Sequence, residues 1–291
     1  MLRRSWLPPL GALGLVACVH VPIGDQLIRY REGGVVRTGE ADCARGWSAA
    51  PAAHRVAALD PAGFDLVTWN IRRAQAESWP RDFARLVAGR DILLLQEARL
   101  TPGLRAALEG SGYRWTLARA FDLRGAHTGV LTASQVEASA ACLTRSMEPL
   151  TRVPKSALLT RFPLRGSREE LLVANLHGVN FAPDTRRFGD QLESVAGRLA
   201  SHRGPLVLAG DFNDWRRGRS QVLRGITGRL GLRPLRLTRD KRSRHLGRPV
   251  DHVFYRGLEV VRADAVEVTS SDHHPVRVSF SLAVYRREEL K

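Results

Sequence analysis

The chain has 291 residues, 44% of them hydrophobic and 25% charged. That is enough length for one large domain and enough apolar content for a packed core, which excludes a disordered, collagen-like or disulfide-scaffold protein. No apolar stretch reaches the ~20 residues that a membrane-spanning helix needs. The net charge is +16, and of the 45 basic residues only Lys155, Lys241 and Lys291 are lysines. Base composition can exchange Lys for Arg but does not create a positive excess, which favours polyanionic partners: nucleic acid, anionic lipid or phosphorylated small molecules.

In chain order, Arg3 and Arg4 precede a short apolar segment from Trp6 to Ala17, interrupted by Pro8 and Pro9, and then Cys18. This is the layout of a secretory signal over residues 1–17. Leu15-Val16-Ala17-Cys18 is similar to a bacterial lipobox, which implies diacylation of Cys18 and anchoring to the membrane on the periplasmic side of the cell envelope. The alternative is a frayed tail on a cytoplasmic protein. Cys43 and Cys142 remain, free to pair in an oxidising envelope. Neither has the spacing of a zinc site. Residues 18–62, with Gly33-Gly34 and scattered prolines, predict a tether and loosely structured lead-in. The catalytic domain is expected over 63–285 and a short tail over 286–291.

From Phe64 onward, Val-, Leu- and Ile-rich runs of strand length stop at chemically competent residues. Residues 64–69 end at Asn70, 92–95 at Gln96-Glu97, 171–176 at His177 and 206–210 at Asp211-Phe212-Asn213. Pro249-Val250 leads into Asp251, and a further strand over Val266 to Ser271 leads into Asp272-His273-His274. Helical stretches over Trp79 to Ala88 and Arg186 to Ala200 alternate with them, predicting a layered α/β protein. Ligands of such folds gather beyond one sheet edge, so the six strand ends are expected to build one site. Singly, each residue has a bland explanation as a turn residue, helix cap or satisfied core histidine. Jointly they place several carboxylates and two histidines where burial without partners is costly.

Thr-Trp-Asn-Ile-Arg at 68–72, Leu-Gln-Glu at 95–97, Asn-Leu-His at 175–177, Gly-Asp-Phe-Asn at 210–213, Val-Asp-His-Val at 250–253 and Ser-Asp-His-His-Pro at 271–275 resemble, in order, the motifs of the endonuclease/exonuclease/phosphatase superfamily. That superfamily includes pancreatic deoxyribonuclease, abasic-site endonucleases, inositol-polyphosphate phosphatases and neutral sphingomyelinases. Residues 155–158, 177–181 and 247–251 look closer to an uncharacterised bacterial branch, which offers no substrate to borrow. The resemblance implies the deoxyribonuclease-like fold, a two-layer β-sandwich of mixed sheets flanked by helices. It also implies a Mg²⁺ or Mn²⁺ ion held by Glu97 with Asn70 and Asp272, a ligand set of oxygens that suits a hard cation. His273 is the implied general base, oriented by Asp251. Asp211 and Asn213 would position water and phosphoryl oxygens, and His177 would supply a proton or hydrogen bond. The strand Gly129 to Thr132 lacks the family's following basic residue, which Lys155 either replaces as a phosphate contact or, as a solvated lysine, does not.

Two arginine-rich segments, Trp215 to Arg219 and 236–248, either grip phosphates or are solvated loops. The expected function is a metal-dependent phosphodiesterase, first a nuclease. A phospholipid or sphingolipid phosphodiesterase, a phosphatase and a non-catalytic anionic-polymer-binding lipoprotein are the alternatives. The expected partners are a phosphodiester substrate, nucleic acid or anionic lipid head group, and the membrane; no protein partner is inferred.

Overall fold

The computed structural model describes residues 19–31, 34–38, 43, 57–181 and 184–283. Cys18, the expected signal 1–17 and the tail 286–291 lie outside the described residues.

Three short strands come first, β1 (Val19–His20), β2 (Gln26–Arg31) and β3 (Gly34–Thr38). A βαβ unit follows, β4 (Phe64–Asn70), α1 (Trp79–Val87) and β5 (Ile92–Arg99). After α2 (Pro102–Gly110) come two antiparallel pairs, β6 (Arg114–Leu123) with β7 (Ala126–Ser134) and β8 (Ala140–Met147) with β9 (Pro154–Pro163). The second βαβ unit is β10 (Glu170–His177), α3 (Arg186–Leu199) and β11 (Leu206–Asp211). α4 (Arg217–Arg229), β12 (Arg233–Pro234) and the ribbon of β13 (Arg244–His245) and β14 (Arg248–Pro249) lead to β15 (Asp251–Arg256), β16 (Leu258–Ala265) and β17 (Val276–Leu282).

The first sheet runs β16-β17-β4-β5-β7-β6-β2-β3, with β1 also on β6; the second runs β12-β15-β11-β10-β9-β8. Each has one parallel pair at its centre, β4 with β5 and β10 with β11, between antiparallel neighbours. Both faces of these strands are covered, so they read as continuous apolar runs instead of alternating ones. Leu66, Ile92, Leu94, Val173, Val207 and Phe280 pack between the sheets. Val67, Trp69, Leu93 and Leu95 cluster with Phe83 of α1 and Leu104 of α2, and Leu172 and Leu208 with Phe188, Leu192 and Leu223 of α3 and α4. At ~1.5–3 kcal/mol for each fully buried large apolar side chain, these layers supply most of the drive to fold. The result is the expected two-layer sandwich flanked by helices, and α1 and α3 end one residue short of their predicted boundaries.

Three expectations are corrected. The supposed tether contains β2, which pairs with β6 from Gln26 opposite Arg119 to Tyr30 opposite Trp115. Leu27 and Ile28 are buried on opposite faces, and Tyr30 stacks on Trp115. A six-residue strand whose partner lies some 90 positions away leaves no local signature. Second, residues 266–271 are not a strand. β16 ends at Ala265 and residues 266–275 form the connection to β17, held by Ser270 Oγ on Asp82 at 2.8 Å and His274 Nδ1 on Val268 N at 3.2 Å. Third, Asp251 opens its strand instead of ending one; β15 runs antiparallel to β11, so its first residue pairs with Asp211 at the same edge.

Cys43 and Cys142 form a disulfide that ties the lead-in to β8. No helix among the described residues is long and apolar enough to cross a membrane.

Candidate active site at the strand ends

Strand parity places the polar groups. Leu66 and residues Val173 and Val207 face the opposing sheet, so Asn70, His177 and Asp211, an even number of residues further along their strands, face it too. All three are buried. Below them lies a buried polar layer. Gln96 Nε2 donates to Asn175 Oδ1 at 2.7 Å and to Thr68 Oγ1 at 3.2 Å, and Asn175 Nδ2 donates to Leu131 O at 3.0 Å. Gly210 lets this edge close: its φ is +141°, and a Cβ there would sit 2.0 Å from Leu176 O.

The centre is Asp211. Its Oδ2 accepts from Asn70 Nδ2 at 3.0 Å and lies 3.4 Å from His177 Nε2 and 3.9 Å from His273 Nε2. Asn213 donates its backbone N–H to Asp211 Oδ1 at 3.1 Å and its side-chain amide to Gly178 O at 3.1 Å. His273 Nδ1 pairs with Asp251 Oδ2 at 2.8 Å, as expected of a histidine and its orienter. Ser271, to which no role was assigned from the sequence, locks this pair to β4: its Oγ donates to Asn70 O at 2.7 Å and accepts from His273 N at 3.1 Å. His274 faces away, bonded to Val268 N.

Lys155 belongs to the site. Its Nζ lies 2.8 Å from His177 Nε2; with Lys155 as the ammonium, which only donates, Nε2 accepts and the ring proton would be on Nδ1. Burial, then the Lys155 and His273 charges, hold the His177 pKa well below the ordinary histidine range. Burial also lowers that of Lys155, against the raising pull of Glu97, Asp211 and Glu148. For His273, burial disfavours charge, but Asp251, Asp211 and Asp272 outweigh it and raise the pKa to about 10. Burial raises Asp211 despite the His273 charge.

Of the three metal ligands assigned from the sequence, Asn70 bonds Asp211, whereas Glu97 and Asp272 lie outside the tightest donor cluster. Among the described residues, the His, Cys, Asp or Glu donors that converge within 4.8 Å are Asp211, Asp251 and His273; Glu97 and Asp272 are not in that group. Asp272 is exposed, 3.9 Å from Arg72. Glu97 sits in a bulge between Leu95 and Ala98 with φ 50°, a left-handed strain of ~1–3 kcal/mol that turns its side chain out of the pleat. It lines a cleft of about 320 Å³ shared with Arg73, Phe121, Lys155, His177 and Phe181. Among the described residues its carboxylate accepts no hydrogen bond; its charged neighbour is Arg73, with Nε at 3.4 Å. A carboxylate that lines a cleft and accepts no hydrogen bond among the described residues, paired with Arg73 alone at 3.4 Å, keeps oxygens available to a divalent cation. Arg73 arrives there through three consecutive left-handed residues, Arg72, Arg73 and Ala74, pinned by Arg72 N on Asn70 Oδ1 at 3.1 Å.

In the first basic segment Arg216 and Arg217 are exposed, whereas Arg219 is not. Arg219 is fully buried, and its guanidinium donates to Val179 O, Asn180 O and Asn213 O at 2.7, 2.8 and 3.0 Å. It thereby ties the loop after His177 to the loop after Asp211. Glu148, also buried, grips the same loop through Asn180 N and Phe181 N, both at 2.7 Å. In the second segment, Arg242 bonds Asp240 and Asp251 O, and Lys241 pairs with Glu267.

Known proteins are similar to this chain in sequence and in fold. The sequence model of the family described as "Endonuclease/Exonuclease/phosphatase family" matches residues 67–273. A UPF0294 protein of Vibrio cholerae is 37% identical over 219 residues, covering 75% of this chain and 78% of its own. Among solved structures, the endonuclease/exonuclease/phosphatase from Bacteroides vulgatus superposes with a TM-score of 0.62 at 16% identity, over 76% of this chain and 99% of that one. The D. rerio TDP2 complexed with single strand DNA product gives 0.55 at 13% identity, over 75% and 99%. The likeness to these two structures is one of fold.

Proposed function

Because the chain belongs to the endonuclease/exonuclease/phosphatase family, a group of hydrolases acting on phosphoester bonds, we propose that it is a divalent-metal-dependent phosphodiesterase, with single-stranded nucleic acid as its first candidate substrate. The observation that carries this is the convergence of the Asp251–His273 pair, Asp211 and the Lys155–His177 pair at one sheet edge. The TDP2 complex supports nucleic acid as the polymer, as does the +16 charge.

Asp251 holds the His273 ring by Nδ1, which leaves Nε2 to exchange a proton with attacking water; a base of this kind is typically worth ~10²–10⁴ in rate. Lys155 and Asn213 offer donors to phosphoryl oxygens, and His177 Nε2 lies between Lys155 Nζ and Asp211 Oδ2, at 2.8 and 3.4 Å. Glu97, together with Asn70 and Asp211, would hold Mg²⁺ or Mn²⁺. A bound divalent cation supplies positive charge that stabilises the phosphoryl oxygens and offsets the carboxylates that keep His273 protonated.

A second reading rests on the cleft itself, whose walls include Val19, Ala120, Phe121, Leu123, Val153 and Phe181. Apolar walls suit an amphiphilic phosphodiester better than a bare sugar-phosphate chain. Hydrolysis by the full chain, with Mg²⁺ or Mn²⁺, of single-stranded DNA, RNA, phospholipid and inositol phosphates separates the two: turnover of oligonucleotide supports the first, of lipid alone the second, and none in any arm refutes both. We propose also that the protein is exported and anchored through Cys18. The Cys43–Cys142 disulfide supports an oxidising compartment. Cys18→Ser should release the protein from the membrane fraction, and an unmodified Met1 on the mature chain contradicts the anchor.

A further inference from the structure

Four large apolar side chains are exposed on segments that border the cleft: Phe181, which lines it, and Ile23, Met147 and Leu150, which are tied to its lining residues. Glu148, next to Met147, holds Phe181 N at 2.7 Å. Arg145, two residues before Met147 on β8, donates to Pro22 O at 2.9 Å and Ile23 O at 3.3 Å. Leu150 adjoins Thr151, which lines the cleft with Val19, Val153 and Phe181. Single exposed apolar residues are ordinary; several at the rim of a cleft mark an interaction surface.

The flanking charge is basic. Arg124 and Arg152 are exposed at the turns beside the cleft-lining Leu123 and Thr151. The acids on the rim segments are engaged, Asp25 by Arg145 at 2.7 Å, Asp122 by Arg119 and His127, and Glu148 by backbone amides, while Glu97 lies in the cleft itself. Apolar knobs between guanidinium groups match an anionic phospholipid surface, which takes the knobs among its acyl chains and the arginines among its phosphates. A nucleic acid would meet the arginines and leave Ile23 and Leu150 in water. The chain path favours lipid as well. Val19, the residue that follows Cys18 in the sequence, lines this cleft and pairs with Leu123. An acyl chain on Cys18 would leave the protein beside this rim.

We propose that the rim formed by Ile23, Met147, Leu150 and Phe181 seats on an anionic phospholipid surface, so that the catalytic cleft opens toward the head groups. This concerns attachment and holds whichever phosphodiester is cut. The test uses the full chain, anchored through its own N-terminus in phosphatidylglycerol/phosphatidylethanolamine vesicles. An environment-sensitive fluorophore is placed in turn on Ile23→Cys, Leu150→Cys and, on the exposed β16 position as a control, Val261→Cys. Labels at 23 and 150 should blue-shift and be quenched by lipids brominated on their acyl chains, while the label at 261 should do neither. Retained hydrolysis of a small soluble diester by the labelled proteins would show that they are folded. If 23 and 150 behave like 261, the rim does not touch lipid. If they are instead shielded by a single-stranded oligonucleotide without lipid quenching, the rim is a nucleic-acid face; either result overturns the proposal.

Discussion

Replacing Arg219 with alanine should destabilise the protein more than any exposed arginine in it. The guanidinium is fully buried and donates to three carbonyl oxygens, on Val179, Asn180 and Asn213, and its carbon Cζ lies 5.3 Å from the Phe188 ring centroid. Each orphaned buried carbonyl costs ~1–3 kcal/mol, and hydrogen bonds to charged groups are the stronger kind. Relief of the burial penalty on the charge offsets part of this, leaving a net loss of about 3–5 kcal/mol, the upper end for a single substitution. With a urea slope near ~3 kcal/mol/M for a chain this long, the unfolding midpoint should fall by about 1–2 M under non-reducing conditions. Arg219→Met restores most of the volume but none of the donors and should recover little. Arg219→Lys keeps the charge without the planar fork and should fall between. A midpoint loss worth less than ~0.5 kcal/mol in Arg219→Ala, the ordinary surface scale, would show that the side chain is solvated.

Three further outcomes follow from the site. In the metal-free protein the His273 ring should titrate by NMR near pH 10, and Asp251→Asn should bring it down toward the ordinary ~6.5; an unchanged titration contradicts the pairing. Because the folded value is raised, this pair stabilises the fold fully below pH ~6.5, and the contribution is lost as pH rises through about 10, so the Asp251→Asn stability deficit should shrink over that window. Glu97→Ala should lower calorimetric Mg²⁺ or Mn²⁺ affinity by ~tenfold or more while the fold survives, since the carboxylate accepts no hydrogen bond among the described residues; an unchanged affinity moves the metal toward Asp211, Asp251 and His273.

Much of the site was legible because its residues interrupt apolar runs. Asn70, His177 and Asp211 follow residues whose burial is forced by strand parity, and the structure brings them together at one edge. Gln96 and Asn175 carried the same signal, a polar group inside a strand too apolar to leave it unpaired, and proved to be the layer beneath. What stayed hidden depends on tertiary placement. Arg219 reads as one more member of a basic run, and only the path of α4 under the two loops shows that it is buried. Arg73 reaches Glu97 through a left-handed turn of non-glycine residues, which no propensity announces. β2 is specified by a partner far along the chain, and the 266–275 connection resembles a strand because Val266 and Val268 pack on the helical layer although pairing stops after Val266 N on Pro275 O.

The central claim is that the strand-end residues hydrolyse a phosphodiester with the help of a divalent ion. The most direct measurement is the turnover of a soluble aryl phosphodiester by the wild-type chain and His273→Ala, each assayed in chelator and then with excess Mg²⁺ or Mn²⁺. The wild type should be inactive in chelator and restored by either ion, while His273→Ala should remain ~10²–10⁴ below it with metal present. Full wild-type turnover in chelator, or a metal-restored His273→Ala rate equal to the wild type, would contradict it.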